Sequence, residues 1–229
     1  MTDREREEGL SETAVLGIPG RQIHCCHVRD GNPSLRYLLF LPARYGQDAG
    51  DWPLMVFLHG AGERGNDLAL VRTYGPPMIV ESTPDFPFVV VSPQCPAGQQ
   101  WKPERLVALI DDVVATHRID RRRIVLSGVS LGGYGTWMTA AAYPGRFAAL
   151  APVCGWGTPA LAQRIGKVPV WMFHGEQDDV VPVEESRKML HAIRAAGGEA
   201  RLTTFPGTGH DAWTEAYARP DLYAWLLEC

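Results

Sequence analysis

The stretch Arg122–Gly133, RRIVLSGVSLGG, holds the pattern that decides the fold. An apolar, β-branched run leads directly into a Gly-x-Ser-x-Gly pattern centred on Ser130. Glycines on both sides of the serine permit a tight turn from a strand into a helix, and such a turn lifts the serine hydroxyl above the end of the sheet. We therefore predict a strand, a nucleophile at Ser130, and a helix over about residues 131–143.

The motif by itself carries little weight, because the chain contains 24 glycines and a glycine-rich packing turn is the structural alternative. Its place between a strand and a helix favours the catalytic interpretation. The first N–H groups of the helix, beginning with that of Leu131, would point at a developing oxyanion together with the positive end of the helix dipole. Leu131 is thus a candidate oxyanion-hole donor.

Strand-like runs alternate with helical patterns along the rest of the chain. The runs RQIHCCHVR and LRYLLFLP flank a Gly-Asn-Pro turn and predict a hairpin. Six further runs follow, namely PLMVFLHG, FPFVVVSPQ, RRIVLSGVS, FAALAPVCG, VPVWMFHG and ARLTTFPG, with amphipathic helices predicted over 104–117 and 183–196. This alternation predicts an α/β fold with a mostly parallel central sheet of about eight strands and helices on both faces. Ligands bind at the carboxyl ends of such strands.

Composition excludes several classes of function. The 229 residues carry a formal net charge of −4, which argues against nucleic acid as a partner. The charged start MTDREREEGLSE has no signal-peptide core, and no apolar run is long enough for a bilayer, so we predict no membrane association. Five cysteines without metal-ligand spacing indicate reduced thiols and a cytoplasmic protein. We expect residues 1–20 to be a polar, poorly ordered segment and residues 21–229 to form a single domain.

Two further strand ends supply partners for the serine. His210 follows the last predicted strand on the glycine-rich loop FPGTGHDAW, and the turn in WMFHGEQDDVVP carries Asp178 and Asp179. The order nucleophile, acid, base along the chain is that of α/β-hydrolases. Either aspartate is also plausible as ordinary surface charge. Adjacent side chains in a turn point in different directions, so local physics allows one acid without choosing it.

The end of the third predicted strand reads FLHGAGERGND. His59 begins a His-Gly-x-Gly loop in which the N–H groups of Ala61 and Gly62 are candidate oxyanion donors, while the imidazole braces the loop. Glu63 and Arg64 follow, and we expect a structural ion pair, with capture of a charged substrate as the second interpretation.

Residues that contact substrate are harder to assign. Three tryptophans fall in predicted loops at strand ends, and Gln94 and Tyr134 lie close to strand ends in sequence; the candidates are Trp101, Trp156, Trp213, Gln94 and Tyr134. Packing in the core is the alternative for each tryptophan. An aromatic mouth would suit a small or aryl-containing ester.

The segments LHGAGERGND, VSPQCP followed by Trp101, SGVSLGGYGTW, FHGEQDDVVPVEESR and GHDAWTEAY together resemble the α/β-hydrolase superfamily. The similarity runs from about residue 21 to the C-terminus and is strongest to the phospholipase/carboxylesterase and polyhydroxybutyrate-depolymerase-like esterases, a group also labelled predicted peptidases. Their pattern H-G-x-x-D-x-x-V-P, aligned with His174–Pro182, makes Asp178 the acid and leaves Asp179 at a variable position.

This resemblance implies a Ser130–His210–Asp178 esterase acting on a small-molecule ester through an acyl-enzyme. It implies no metal and no organic cofactor. Only about a dozen residues, from Gly157 to Val168, separate the sixth and seventh predicted strands, so no large lid is expected. A serine peptidase or amidase of the same fold is the alternative enzyme. A non-catalytic binding module of this fold is the alternative from another class.

Overall fold

A computed structural model describes residues 17–29, 32–47 and 49–229. The strands are β1 (Gln22–Arg29), β2 (Asn32–Phe40), β3 (Trp52–Leu58), β4 (Val89–Pro93), β5 (Ile119–Val129), β6 (Ala149–Val153), β7 (Val170–Gly175) and β8 (Ala200–Phe205). They form one sheet in the order β1-β2-β4-β3-β5-β6-β7-β8. The pairs β1–β2 and β2–β4 are antiparallel, and the other pairs are parallel. The predicted eight-stranded sheet and its N-terminal hairpin are confirmed.

The helices are α1 (Pro76–Ile79), α2 (Pro103–Thr116), α3 (Leu131–Ala142), α4 (Ala162–Ile165), α5 (Glu184–Ala195), α6 (Trp213–Tyr217) and α7 (Pro220–Glu228). The three helices predicted from sequence, α2, α3 and α5, differ by one residue or none at each end. Both α2 and α7 begin with proline, whose missing N–H has no role in the first helical turn.

The sheet separates two apolar layers because alternate side chains of a strand point to opposite faces. In β3, Leu54 and Val56 belong to one layer and Met55 and Phe57 to the other. The first layer contains apolar side chains of α2, α3, α4 and α5. The second contains those of α6 and α7. Helices therefore cover both faces, as predicted.

The strands β3, β5, β7 and β8 end at the same edge of the sheet, where their following loops carry His59, Ser130, Asp178 and His210. The connection between β6 and β7 holds a single 3-10 turn and the four-residue α4, which confirms that there is no large lid there. Among the described residues, no helix combines the length and apolarity needed to cross a bilayer. Residues 1–16 of the predicted polar segment, and Gly31 of the predicted hairpin turn, lie outside the described residues.

Candidate active site

Ser130 lies at a sharp turn between β5 and α3. A Cβ added at Gly132 would lie 1.9 Å from the Leu58 carbonyl oxygen, and one at Gly128 would lie 2.5 Å from the Gly132 oxygen. Only glycine fits at both positions, because any side chain would overlap backbone. Ser130 itself has φ 52° and ψ −114°, a region that costs a residue with a side chain about 1–3 kcal/mol. The close packing of the glycines holds the serine in this conformation.

His210, on the loop between β8 and α6, faces the serine. Its Nε2 lies 2.9 Å from Ser130 Oγ, and its Nδ1 lies 2.7 Å from Asp178 Oδ2. The His210 side chain is 19% exposed, whereas that of Asp178 is fully buried. One chain of hydrogen bonds therefore runs from a buried carboxylate through an imidazole to a serine hydroxyl at the sheet edge.

The structure brings Asp178, and not its neighbour, to His210. Asp178 Oδ1 accepts hydrogen bonds from the N–H groups of Val180 (3.0 Å) and Val181 (2.8 Å). Burial alone would raise the pKa of this carboxyl group, but hydrogen bonds from His210 and from these two amides outweigh burial and lower the pKa below its usual value. Asp179 is exposed. The carboxylate of Asp178 is thus ionised and fixed in orientation.

A second histidine supports the carboxylate from behind. His174 is fully buried; its Nε2 lies 2.8 Å from the Val181 carbonyl and 3.2 Å from Asp178 Oδ2, and its Nδ1 lies 2.7 Å from Ser186 Oγ. Burial lowers the pKa of His174, so the ring is neutral. Its one N–H is on Nε2, because Val181 oxygen can only accept, and Nδ1 accepts from the Ser186 hydroxyl.

The buried cluster of Cys154, His174 and Asp178 places three metal-ligand atoms within 4.8 Å of one another. The donors do not suit a resident cation. Burial raises the pKa of the Cys154 thiol to about 12, whereas a metal ligand must be a thiolate. His174 Nε2 already carries the proton shared with Val181, and Asp178 is occupied by His210. We interpret the cluster as support for the carboxylate.

The loop after β3 passes beside the serine. His59 is fully buried and neutral, since burial lowers its pKa to about 4. Its Nε2 accepts from the Cys95 N–H at 2.9 Å and its Nδ1 donates to the Gly60 carbonyl at 2.6 Å. Ala61 and Gly62 are exposed on the same loop, and among the described residues neither N–H has a hydrogen-bond acceptor. The loop therefore offers free N–H groups near Ser130.

The predicted substrate contacts separate into two groups. Trp156 and Tyr134 are half-buried and stacked, with ring centroids 5.1 Å apart, and half-buried Trp213 meets the His210 ring at 5.4 Å, edge to face. Trp101 and Gln94 are 5% and 2% exposed. The side chains of this second group brace the His59 loop, and their burial argues against direct contact with substrate.

The bracing contacts are specific. The Trp101 indole N–H donates to the His59 carbonyl at 3.2 Å, and Gln94 Nε2 donates to the carbonyls of Glu63 and Asp67 at 2.8 Å each. The prediction of an ion pair between Glu63 and Arg64 is wrong, because the Tyr74 hydroxyl donates a hydrogen bond to Glu63 Oε2. Arg64 instead donates to the carbonyls of Ala61 and Gln99.

Sequence reasoning missed two residues of this region, Tyr74 and His174. Tyr74 comes from an irregular segment before α1 and offers no motif that would identify it. His174 begins the H-G-x-x-D pattern, four residues before Asp178, so its place in that pattern was an available signal.

A doubly covered parallel sheet with serine, aspartate and histidine at its carboxyl edge defines an α/β-hydrolase. Residues 94–219, more than half of the chain, match the model of the phospholipase/carboxylesterase family. The chain belongs to this family, which confirms the resemblance drawn from its motifs.

Individual relatives agree with this assignment. The chain is 30% identical to acyl-protein thioesterase 1 of Gibberella zeae over 103 residues, 41% of this chain and 43% of the relative. It is 27% identical to carboxylesterase SOBER1 of Arabidopsis thaliana over 134 residues, 56% of this chain and 58% of the relative. This chain thus spans less than two thirds of either relative.

Solved structures are similar over more of the chain. A crystal structure of a thermostable esterase superposes with a TM-score of 0.76 at 30% identity, covering 90% of this chain and 62% of the other. Esterase PE8 superposes with a TM-score of 0.64 at 26% identity, covering 83% and 96%.

Proposed function

We propose that the protein is a serine hydrolase that cleaves carboxylic esters, of small or aryl-containing substrates, through an acyl-enzyme intermediate. The observation that carries the proposal is the continuous contact from Asp178 through His210 to Ser130 Oγ, at 2.7 and 2.9 Å. These distances lie within the range needed for proton transfer. The family and the esterases among its solved relatives support ester bonds as the substrate.

The reaction follows from the positions of the protons. As Ser130 Oγ attacks the ester carbonyl, its proton passes to His210 Nε2, and the imidazolium is stabilised by Asp178 at Nδ1–H. Collapse of the tetrahedral species breaks the bond to the alcohol, which takes the proton from Nε2. Water then repeats these steps on the acyl-serine, giving the carboxylic acid and the free enzyme.

The negative charge on the carbonyl oxygen needs donors that are in place before the reaction. We assign the Leu131 N–H, in the first turn of α3, as one donor and the N–H of Ala61 or Gly62 as the other. First-turn N–H groups of a helix have no intrahelical partner. Loss of one such donor typically costs about 10²–10³ in kcat.

Three aromatic side chains are candidates for contact with the substrate. Trp213, against His210, and the Tyr134–Trp156 stack are half-buried and belong to the loops and helix start at the same sheet edge. We propose these three as substrate contacts. Trp101 and Gln94 have an indirect role, because they hold the loop that carries the proposed oxyanion donors.

The test is a panel of nitrophenyl esters of increasing acyl length, with aryl esters, a thioester and aminoacyl amides beside them. We expect Ser130→Ala to lower kcat on esters by at least about 10⁴-fold. The matched control is Ser92→Ala, because Ser92 Oγ is buried and has no hydrogen-bond partner among the described residues. A fluorophosphonate probe should label the wild type and the control but not Ser130→Ala.

Other results would overturn the assignment. Retention of most esterase turnover by Ser130→Ala would exclude this nucleophile, and absence of probe labelling in the wild type would favour a binding module. Faster cleavage of the amides than of the esters would favour a peptidase.

We further propose that the protein acts in the cytoplasm on a small-molecule ester, without nucleic acid or membrane as a partner. All five cysteines are free thiols, which supports a reducing compartment.

A further inference from the structure

The carboxylate of Glu63 lies close to the reacting serine, and no lysine or arginine in the described part of the chain neutralises it. A Cβ added at Gly60 would lie 3.2 Å from Glu63 Oε2 and 3.7 Å from Ser130 Cβ. Glu63 Oε2 and Ser130 Cβ are therefore at most about 7 Å apart, the sum of these two distances. Glu63 is 16% exposed, so its carboxylate is largely withdrawn from bulk water yet close to the nucleophile.

The neighbours of Glu63 hold it in place but do not balance its charge. The Tyr74 hydroxyl donates to Oε2 and accepts from the Gly60 N–H at 3.2 Å. His59 Nδ1 is 3.9 Å away, but this ring is neutral and donates to the Gly60 carbonyl. Arg64 turns its guanidinium to the carbonyls of Ala61 and Gln99. Among the described residues, no lysine or arginine pairs with Glu63.

One oxygen of the carboxylate remains available. Oε1 accepts no hydrogen bond from any described residue, and it is not among the buried polar atoms that lack a partner. It therefore reaches solvent. A partly buried anion with a free oxygen is a strong acceptor for a charged donor.

Aromatic rings next to this carboxylate suit the same kind of ligand. Tyr74 packs against Trp213 with centroids 5.1 Å apart, and Trp213 meets the ring of His210. The faces of tyrosine and tryptophan attract cations, including quaternary ammonium groups. Carboxylate and rings form one continuous border from the oxyanion loop to the catalytic histidine.

We propose that Glu63, held by Tyr74, forms a subsite for a cationic nitrogen on the ester substrate. This inference rests on the proposed ester hydrolysis. The distance to Ser130 requires the nitrogen to lie within a few bonds of the ester group. The nitrogen belongs to the acyl part, as in an amino-acid ester, or to the alcohol part, as in an amino-alcohol ester. Both share an ammonium group close to the ester.

The experiment compares charged esters with neutral esters of the same shape. Alanine ethyl ester is paired with ethyl isobutyrate for the acyl side, and acetylcholine with 3,3-dimethylbutyl acetate for the alcohol side. Acid release is measured for the wild type, Glu63→Gln and Glu199→Gln at low and high salt. Glu199 is the matched control, because it precedes β8 at the opposite edge of the sheet.

We expect the wild type to prefer the charged member of one pair, which identifies the side that carries the nitrogen. Glu63→Gln should lower this preference about 10-fold, the size expected for a hydrogen bond to a charged group. Its kcat/KM should fall for the charged ester and rise for the neutral one, because the carboxylate opposes the charge that develops on the carbonyl oxygen. Salt should weaken the preference in the wild type, a measurement that needs no variant.

Three results would overturn the subsite. The first is hydrolysis of the neutral esters by the wild type with no preference in either pair. The second is an equal loss on both members of a pair in Glu63→Gln, which indicates a brace for the loop. The third is the same change of preference in Glu199→Gln. Failure of every ester to exceed the Ser130→Ala background would instead refute the proposed function itself.

Discussion

Gly175, the last residue of β7, controls the distance between the two loops that carry Asp178 and His210. A Cβ added at Gly175 would lie 2.0 Å from the Gly209 carbonyl oxygen and 2.4 Å from that of Thr208. Both contacts are with backbone, so rotation of a side chain cannot relieve them. We therefore predict that Gly175→Ala damages catalysis without touching any catalytic residue.

The size of the effect follows from the required displacement. Because real Cβ atoms essentially never approach within 3.0 Å of such an atom, the alanine must separate the two segments by about 1 Å. If the loop moves, it carries His210, which follows Gly209 directly; if β7 moves, it carries the turn that holds Asp178. In both cases the 2.7 Å contact between His210 and Asp178 is altered. A displacement of this size costs about 10²-fold in kcat.

The assay measures kcat and KM on a nitrophenyl ester, with the fraction of competent sites counted by a fluorophosphonate probe. Gly50→Ala is the matched control, because nothing lies within 4 Å of a Cβ at Gly50, and its kcat should equal that of the wild type. Circular dichroism and thermal unfolding establish that Gly175→Ala is folded at the assay temperature. A folded Gly175→Ala protein with kcat within threefold of the wild type would refute the argument that close packing of these two segments fixes the positions of Asp178 and His210.

Two further predictions concern single side chains. Asp178→Asn should lower kcat by about 10⁴-fold, because the amide favours the wrong histidine tautomer, whereas exposed Asp179→Asn should change it less than twofold; the reverse result in ester kinetics would move the acid by one residue. His59, whose pKa burial lowers to about 4, contributes stability that is complete above its unfolded pKa of about 6.5 and is lost as the pH falls towards 4. Between pH 7 and pH 5, the free energy of unfolding measured with urea should therefore fall by about 2 kcal/mol more in the wild type than in His59→Gln. An equal fall in the two proteins would contradict a neutral, buried His59.

The fold was predictable because its evidence is local and repeated. The parallel strands β3, β4, β6 and β7 are runs buried on both faces. Helices α2 and α5 have clear sequence signals, and α3 directly follows the Gly-x-Ser-x-Gly motif. The four-residue α1 and α4 and the five-residue α6 are too short for such a pattern. Strand β5 begins at Ile119, three residues before the predicted run. The sequence pattern missed this extension because Asp120–Arg122 are polar.

The geometry of the candidate site was predictable in outline for a related reason. Ser130, His210 and an aspartate each follow a different parallel strand, and the carboxyl ends of parallel strands meet at one edge. The choice between the aspartates was not available from local physics, and the structure explains why. Asp178 Oδ1 closes its own turn by accepting two amide N–H groups, which leaves Oδ2 to face His210. That contact depends on a loop 32 residues further along the chain.

Charged neighbours in sequence are weak evidence for an ion pair, and Glu63 and Arg64 illustrate the reason. In the loop after β3, Arg64 donates to two backbone carbonyl groups. Glu63 accepts a hydrogen bond from the hydroxyl of Tyr74, which lies eleven residues away in an irregular segment. No periodicity or spacing marks such a partner. If Arg64 had paired with Glu63, the two charges of the loop after β3 would have balanced each other. Because Arg64 donates to two carbonyl groups instead, no lysine or arginine among the described residues pairs with the carboxylate of Glu63. The proposed selection of substrates by charge therefore depends on a contact that only the folded chain creates.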